Sequence, residues 1–513
     1  MKNSGYWVEI IKCDPYIQID AGTMSPYEHG EVFVTHDGWE VDLDFGHYER
    51  FLDQQVMFEN SITTGQIYQS VINKERKWEY LGQTVQVVPH IVDEVTRRIE
   101  NVSKKLEDHR GSWAVVIIEV WWTVGDIEGP HFTEALRQLS LKEENIVQFV
   151  HVAPLITHSY NSELKTKPLQ HSIQKLREIG IIPNYLVMRT SSEIVDIPAE
   201  KISFLTWIPQ KNCIHCPDRS TIYQVPIDFE QQWFDKQVQE WFGWDYTAPK
   251  FDAWKKKVAV LNQSEKTLDI CLAGKYTELE DCYLSVVEAC VHAGVHYDIK
   301  VHVHWLDTVK VEEKGQEYIK LFFEENSIKW VVVPGGFWER WVEWMILVAQ
   351  YARENKVPYL GICLGLQVAI IEYARNILNL QWANSTEFSK SSFPVIDLMH
   401  TQKDLENTWG TMRLGHYEAQ LDPASKVSNI YGATRCVDRH RHRYEVNPEY
   451  HDQLTHEWDL RLSGCSDDRM LVEYIEYRNH PYFVATQAHP EFESAFLDPQ
   501  PLFRDLIKAS LQR

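Results

Sequence analysis

The chain of 513 residues carries 51 Lys and Arg against 74 Asp and Glu, a formal charge of -23, which excludes a general nucleic-acid surface because phosphate binding is driven by concentrated cationic side chains. At this length one core stops growing, so two domains of roughly 250 residues are expected; 44% hydrophobic with 24% charged residues is an ordinary soluble globular balance. No run approaches eighteen apolar residues, so no membrane span is expected, and nine scattered cysteines without a secretory segment predict reduced thiols in a cytoplasmic protein.

In the first half, β-branched runs at Val8–Ile11, Ala114–Val120, Ile146–Val152, Tyr185–Val187 and Ile202–Ile208 read as strands. Helix-length amphipathic stretches alternate with them at Val85–Lys105, Phe132–Glu143 and Gln170–Ile179. That alternation predicts an α/β domain with a mostly parallel sheet. Cys213 and Cys216 form a C-x-x-C with no second pair after it, so loop thiols are preferred over a zinc site. The irregular stretch 244–267 reads as a linker between domains at 1–243 and 268–513. A second α/β unit follows, with strands at Thr267–Ala273, Lys300–Leu306, Lys329–Val333 and Val357–Ile362, helices at Cys282–His292 and Val368–Arg375, and antiparallel closing strands at Val472–Tyr477 and Phe483–Gln487.

Within that second unit, Tyr359–Leu366 (YLGICLGL) is a strand that turns at Cys363 directly into an apolar helical segment. A thiol there meets unpaired helix N–H groups, which favour the thiolate. Pro334-Gly335-Gly336 ends another apolar strand, and its small residues let the N–H of Gly336, with that of Leu364, approach a tetrahedral oxyanion. His489-Pro490-Glu491 supplies an imidazole and, if the segment is extended, a carboxylate on the same side to hold its tautomer. Each signal alone is weak; together they predict a cysteine hydrolase.

The motifs are also specific. PGGF at 334–337, GICLGLQ at 361–367, RHRHRYEVN at 439–447 and QAHPEFES at 487–494 resemble the class I glutamine amidotransferase domain of the CTP synthase family. The stretches at 12–38, DLDFGHYERF at 42–51, TTGQIYQSVINKER at 63–76, TVGDIE at 123–128 and ELKTKPLQHS at 163–172 resemble the amidoligase domain of the same family, whose sheet is Rossmann-like and related to that of phosphate-loop NTPases. The resemblance implies that ATP phosphorylates the 4-oxygen of UTP and that ammonia released from L-glutamine displaces the phosphate. Magnesium would offset phosphate charge, GTP would activate glutamine hydrolysis, and the assembly would be a homotetramer.

By the same resemblance Asp44 and Glu119 match magnesium-binding acids, and Lys12 and Asp14 line the nucleotide site. Lys165, Thr166, Lys167 and Gln170 match the pyrimidine-nucleotide segment, with Lys211 as a further basic residue; Asp126 and Glu128 match acids that contact that nucleotide, and Arg413 an arginine near GTP. Read without the family, Asp42 and Asp44 alternate along an extended piece, and Glu119 ends an apolar strand where ligands of parallel sheets bind. Two lysines beside a helix starting near Pro168 make a polyphosphate anchor.

Two departures stand out. The family begins with a strand and a glycine-rich phosphate loop, whereas this chain starts near the end of the following helix and contains no G-x-x-x-x-G-K-[ST] run, so an exposed sheet edge beside Val8–Ile11 is expected. Three readings stay open: a CTP synthase whose start lies further upstream, a glutaminase-only or regulatory relative, and a non-catalytic scaffold subunit. The second departure is Trp at positions the family fills with Gly: Trp78, Trp121, Trp122, Trp338, Trp341, Trp344 and Trp409. Because UGA, which some genetic codes read as tryptophan and others as glycine, differs from GGA by one base, the preferred expectation is that such codons specify glycine here. Ordinary packing aromatics are the alternative.

Overall fold

The structure is a computed structural model; it describes residues 1–513 except 111–113, 143–145, 158–163, 192, 194–196, 277–278, 337–341, 399–411, 457–458 and 513. Two compact units emerge. The first comprises Met1–Ile19 and Glu59–Asn262, the second Asp20–Phe58 and Gln263–Arg513. The second unit is thus discontinuous in sequence, and part of the region read as the N-terminal domain packs with the C-terminal half. Within the stretch read as a linker, Asp252–Gln263 is a helix that buries Trp254, Val258 and Leu261.

The first unit holds two parallel three-stranded sheets. In one, Trp7–Asp14 lies between Ser61–Thr63 and Ala114–Val120; in the other, Tyr185–Thr190 lies between Val150–Pro154 and Cys213–Pro217. Apolar faces of helices Thr64–Arg76, Val92–Arg110 and Pro130–Ser140 cover the first sheet, with Ile67, Val95, Ile99, Phe132 and Ala135 in its core. Only Lys12 and Cys13 pair on both sides; Val8–Ile11 pairs with Val115–Ile118 alone, so its other side is a sheet edge as expected, where Asn60 Nδ2 donates to Ile10 O at 2.7 Å. Ala114–Val120 is a further edge, with Ile117 45% exposed.

Three local expectations need correction. Ile202–Ile208 is not a strand: Ala199–Thr206 is a helix that buries Ile202 and Thr206, four residues apart on one face. Short apolar runs carry too few residues for their period to separate the two states. Cys213 and Cys216 sit on a strand rather than a loop, and residues three apart on a strand point to opposite faces, so they are not placed as a chelating pair. The strand expected over Ile146–Val152 begins only at Val150.

In the second unit a nine-stranded sheet runs Lys300–Trp305, Thr267–Leu272, Trp330–Val333, Tyr359–Ile362, Phe483–Thr486, Val472–Tyr477, Leu460–Cys465, Arg413–Leu421, Arg435–His442. The first five strands are parallel and the rest antiparallel, which matches the sequence reading of a parallel α/β core closed by antiparallel strands, except that Phe483–Thr486, expected among the closing strands, pairs parallel with Tyr359–Ile362 and belongs to the core. Helix Leu364–Asn376 is buried almost along its whole length, and with Val342–Glu354 it forms one apolar layer on the sheet. Helices Leu284–His296 and Pro501–Leu511 form the other. Among the described residues no helix is long and apolar enough to cross a membrane.

Candidate active site

Three neighbouring parallel strands, Trp330–Val333, Tyr359–Ile362 and Phe483–Thr486, end on the same edge of the nine-stranded sheet. That is where the loops of parallel sheets gather ligands, and here the loops carry Gly335-Gly336, Cys363 and His489. Cys363 caps helix Leu364–Asn376 with φ 54 and ψ -102, a conformation that side chains rarely adopt and that tight packing must enforce. The enforcement is visible: Cys363 N donates to Thr486 O at 2.7 Å, and a Cβ on Gly365 would stand 2.1 Å from Val333 O, so only glycine lets the helix start this close to the neighbouring strand.

His489 Nδ1 is 2.7 Å from Glu491 Oε1, while Nε2 is buried without a hydrogen-bond partner of its own. Burial opposes a charge on this ring, yet Glu491 and the Cys363 sulfur outweigh it and lift the His489 pKa to about 10. The ring accordingly holds its second proton at neutral pH. As a group raised from 6.5, it contributes stability fully below that value and loses it as pH climbs through about 10. The segment Pro490–Glu493 is a 3-10 turn, not extended as expected; the turn folds Glu491 back onto the ring two residues earlier.

A Cβ on Gly335 would come 2.8 Å from His489 Cε1 and 3.5 Å from Cys363 Cβ, and one on Gly336 would meet Leu364 Cδ2 at 3.5 Å, so the glycine turn lies against thiol, imidazole and helix start together. Gln487, which was not singled out from sequence, donates to Cys363 Sγ at 3.6 Å. A neutral amide carries no charge signal, although it lies inside the quoted 487–494 motif. Buried Lys275, also missed, lies beside Gly336, and burial pushes its pKa down to about 8.

Arg413 is not presented to solvent. Its guanidinium is buried between Glu445 at 3.0 Å and Glu473 at 2.8 Å, where desolvation opposes its charge and the two carboxylates outweigh that, raising its pKa. Asp44 starts helix Asp44–Leu52 in the second unit, with its N–H 3.4 Å from Asp42 Oδ1. This is a turn leading into a helix, not the extended alternation expected.

In the first unit Lys12 and Asp14 are fully buried, 3.5 Å apart, and Glu119 lies in register opposite Lys12. The Lys12 ammonium also lies 5.3 Å from the centre of the Trp121 ring. Asp126 and Glu128 are exposed in the loop after Ala114–Val120, with Glu128 accepting from Trp122 Nε1 at 3.1 Å. Thr166 caps helix Lys167–Glu178 and accepts from Gln170 Nε2 at 2.8 Å, while Lys165, Lys167 and Lys211 are exposed. Trp338, Trp341 and Trp409 lie outside the described residues.

Residues 1–244 match the family profile described as CTP synthase N-terminus, and residues 278–509 match glutamine amidotransferase class-I. The CTP synthase of Methanocaldococcus jannaschii is 46% identical over 100% of this chain and 94% of its own length. Those of Caldanaerobacter subterraneus and Bacillus velezensis are 47% and 45% identical over the same shares. A solved glutaminase domain of Trypanosoma brucei CTPS with bound acivicin is 32% identical over 48% of this chain and 94% of that one, with a TM-score of 0.45. With full-length relatives at this identity and both domain types matched in order, the chain belongs to the CTP synthase family.

Proposed function

We propose that this chain forms CTP from UTP, ATP and L-glutamine, with glutamine hydrolysed in the second unit. The observation that carries the reading is the His489–Glu491 pair, 2.7 Å apart, standing against Cys363 at the ends of adjacent parallel strands. The Cys363 sulfur attacks the side-chain amide carbon of glutamine, and the N–H groups of Gly336 and Leu364 receive the oxyanion. Cys363 attacks as the thiolate paired with charged His489, whose second proton passes to the departing nitrogen and releases it as ammonia; water then cleaves the thioester to glutamate, its proton returning to His489 and the sulfur leaving as thiolate.

For the synthetase half, ATP converts the 4-oxygen of uracil into a phosphate leaving group, which ammonia displaces. Lys12 and Asp14 line the nucleotide site in this reading. Lys165, Thr166, Lys167, Gln170 and Lys211 hold the pyrimidine nucleotide's phosphates, and Asp126 and Glu128 contact the same nucleotide. Asp44 and Glu119 are the acids that the family resemblance assigns to magnesium, each a hard carboxylate of the kind that ion prefers, and the ion would neutralise phosphate charge when bound. GTP acts as activator of hydrolysis near the Arg413 strand, and the working form is a cytoplasmic homotetramer.

CTP formation followed by absorbance, with UTP, ATP, magnesium and either glutamine or ammonium, tests the assignment. Product is expected with both nitrogen sources. Glutamine hydrolysis without CTP from either source would replace this reading with the glutaminase-only one.

A further inference from the structure

Outside the triad, one buried cation ties together three pieces of the second unit that are far apart in sequence. Arg439, fully buried on strand Arg435–His442, donates to Val34 O at 2.9 Å and to Glu49 Oε2 at 2.7 Å, and its Nε is 3.0 Å from Glu493 Oε1. Glu493 closes the 3-10 turn that carries Glu491. The same arginine's carbonyl accepts from His489 N at 2.7 Å, so backbone and side chain of one residue hold both ends of the His489–Glu493 stretch. Phe492, in between, packs edge-on against Phe33 with ring centres 4.8 Å apart. A buried guanidinium with three fixed acceptors is a rigid brace, since its planar fork sets the position of each partner.

We propose that Arg439 is a positioning residue for glutamine hydrolysis: it aligns the His489–Glu491 pair by clamping its turn onto the Asp20–Phe58 segment through Glu49. The inference rests on the glutaminase reading above. The clamp's far end belongs to a segment that is remote in sequence from the triad but part of the same unit.

Glu49→Gln is the deciding variant, because it keeps the shape and one acceptor while removing the charge; Arg439→Met leaves the buried Glu49 carboxylate without its cation and can fail to fold. For Glu49→Gln, kcat for glutamine hydrolysis is expected to fall by roughly 10- to 100-fold with KM within about twofold, the loss typical of a misplaced catalytic group. Inactivation by iodoacetamide at Cys363 is expected to slow in step, and ammonia-dependent CTP formation to stay within about twofold. Unchanged kcat in this variant overturns the proposal. So does a parallel loss of ammonia-dependent activity, which would mark a merely structural role. Failure of the unsubstituted enzyme to hydrolyse glutamine would instead remove the functional reading beneath it.

A separate observation concerns the backbone. Among the described residues eleven that are not glycine have positive φ, and three of these are tryptophans: Trp78 at 63, Trp207 at 60 and Trp233 at 60. A bulky aromatic in the left-handed region is a true outlier, and all three side chains are more than half exposed, at 73%, 75% and 56%, so no core packing compensates. Elsewhere the indole N–H groups of Trp330 and Trp344 are buried without a hydrogen-bond partner, whereas buried indoles ordinarily find one.

We infer that the polypeptide as synthesised carries glycine at positions 78, 207 and 233, through UGA codons decoded as glycine. Peptide mass spectrometry on the protein from its own host decides this. Glycine at all three positions is expected, each lowering the peptide mass by the difference between an indolylmethyl group and a hydrogen. Tryptophan at any one of them overturns the inference.

Discussion

Replacing Cys363 with Ala is expected to abolish glutamine-dependent CTP formation while leaving ammonia-dependent formation intact. Loss of a nucleophile that acts as a unit with its base lowers kcat by about 10⁶-fold in comparable triads. In the proposed reaction the sulfur forms the acyl intermediate: it sits on the strained turn at φ 54, with Gln487 and the glycine turn around it. Free ammonium bypasses the acyl step, so paired assays with the two nitrogen sources on the same preparation check the assignment. Glutaminase activity undiminished in the alanine variant would show that another nucleophile does the work.

Glu491→Gln is expected to cost about 10⁴-fold in glutamine hydrolysis, the loss seen when a carboxylate that orients a catalytic imidazole becomes an amide. The side chain keeps its volume, so the turn Pro490–Glu493 stays folded. What changes is charge. Burial already opposes protonation of His489, and the carboxylate of Glu491 is the largest contribution that overcomes it. Without it the ring's pKa falls from about 10, so hydrolysis that needs the charged ring fails at lower pH than in the unsubstituted enzyme. A pH profile of kcat for glutamine hydrolysis checks this; an alkaline limb that stays in place would contradict the assigned partner.

The parts of the site built from local chain were legible in the sequence. The strand-turn-helix at Cys363, the glycine turn after Trp330–Val333 and the near-adjacent His489 and Glu491 each have a short-range signature, and parallel pairing of three strands brings them together. What sequence did not reveal is long-range. Arg439 and Glu49 stand 390 positions apart, and in a sequence each reads as an ordinary solvated charge; nothing local says that they bury one another. Arg413 shows the same blindness, its charge consumed by Glu445 and Glu473 rather than offered to an anion. Asp44 was placed on an extended piece because Asp42 and Asp44 alternate, yet the turn ends in a helix start, where an acid is equally at home.

The discontinuity of the second unit also bears on how the molecule is made. Asp20–Phe58 leaves the ribosome long before the side chains it packs with, Arg439 and Phe492, Glu49 preceding Arg439 by 390 positions. For most of synthesis Phe33, Phe45 and Val56 have only one another and their neighbours to pack with, lacking Phe492 and Leu414 of the finished cluster, which leaves the nascent chain with a sticky stretch that must wait. Contacts this distant make for slow closure. Separating the two halves at residue 268 would strip the C-terminal piece of that stretch and leave the Arg439 guanidinium without Val34 and Glu49.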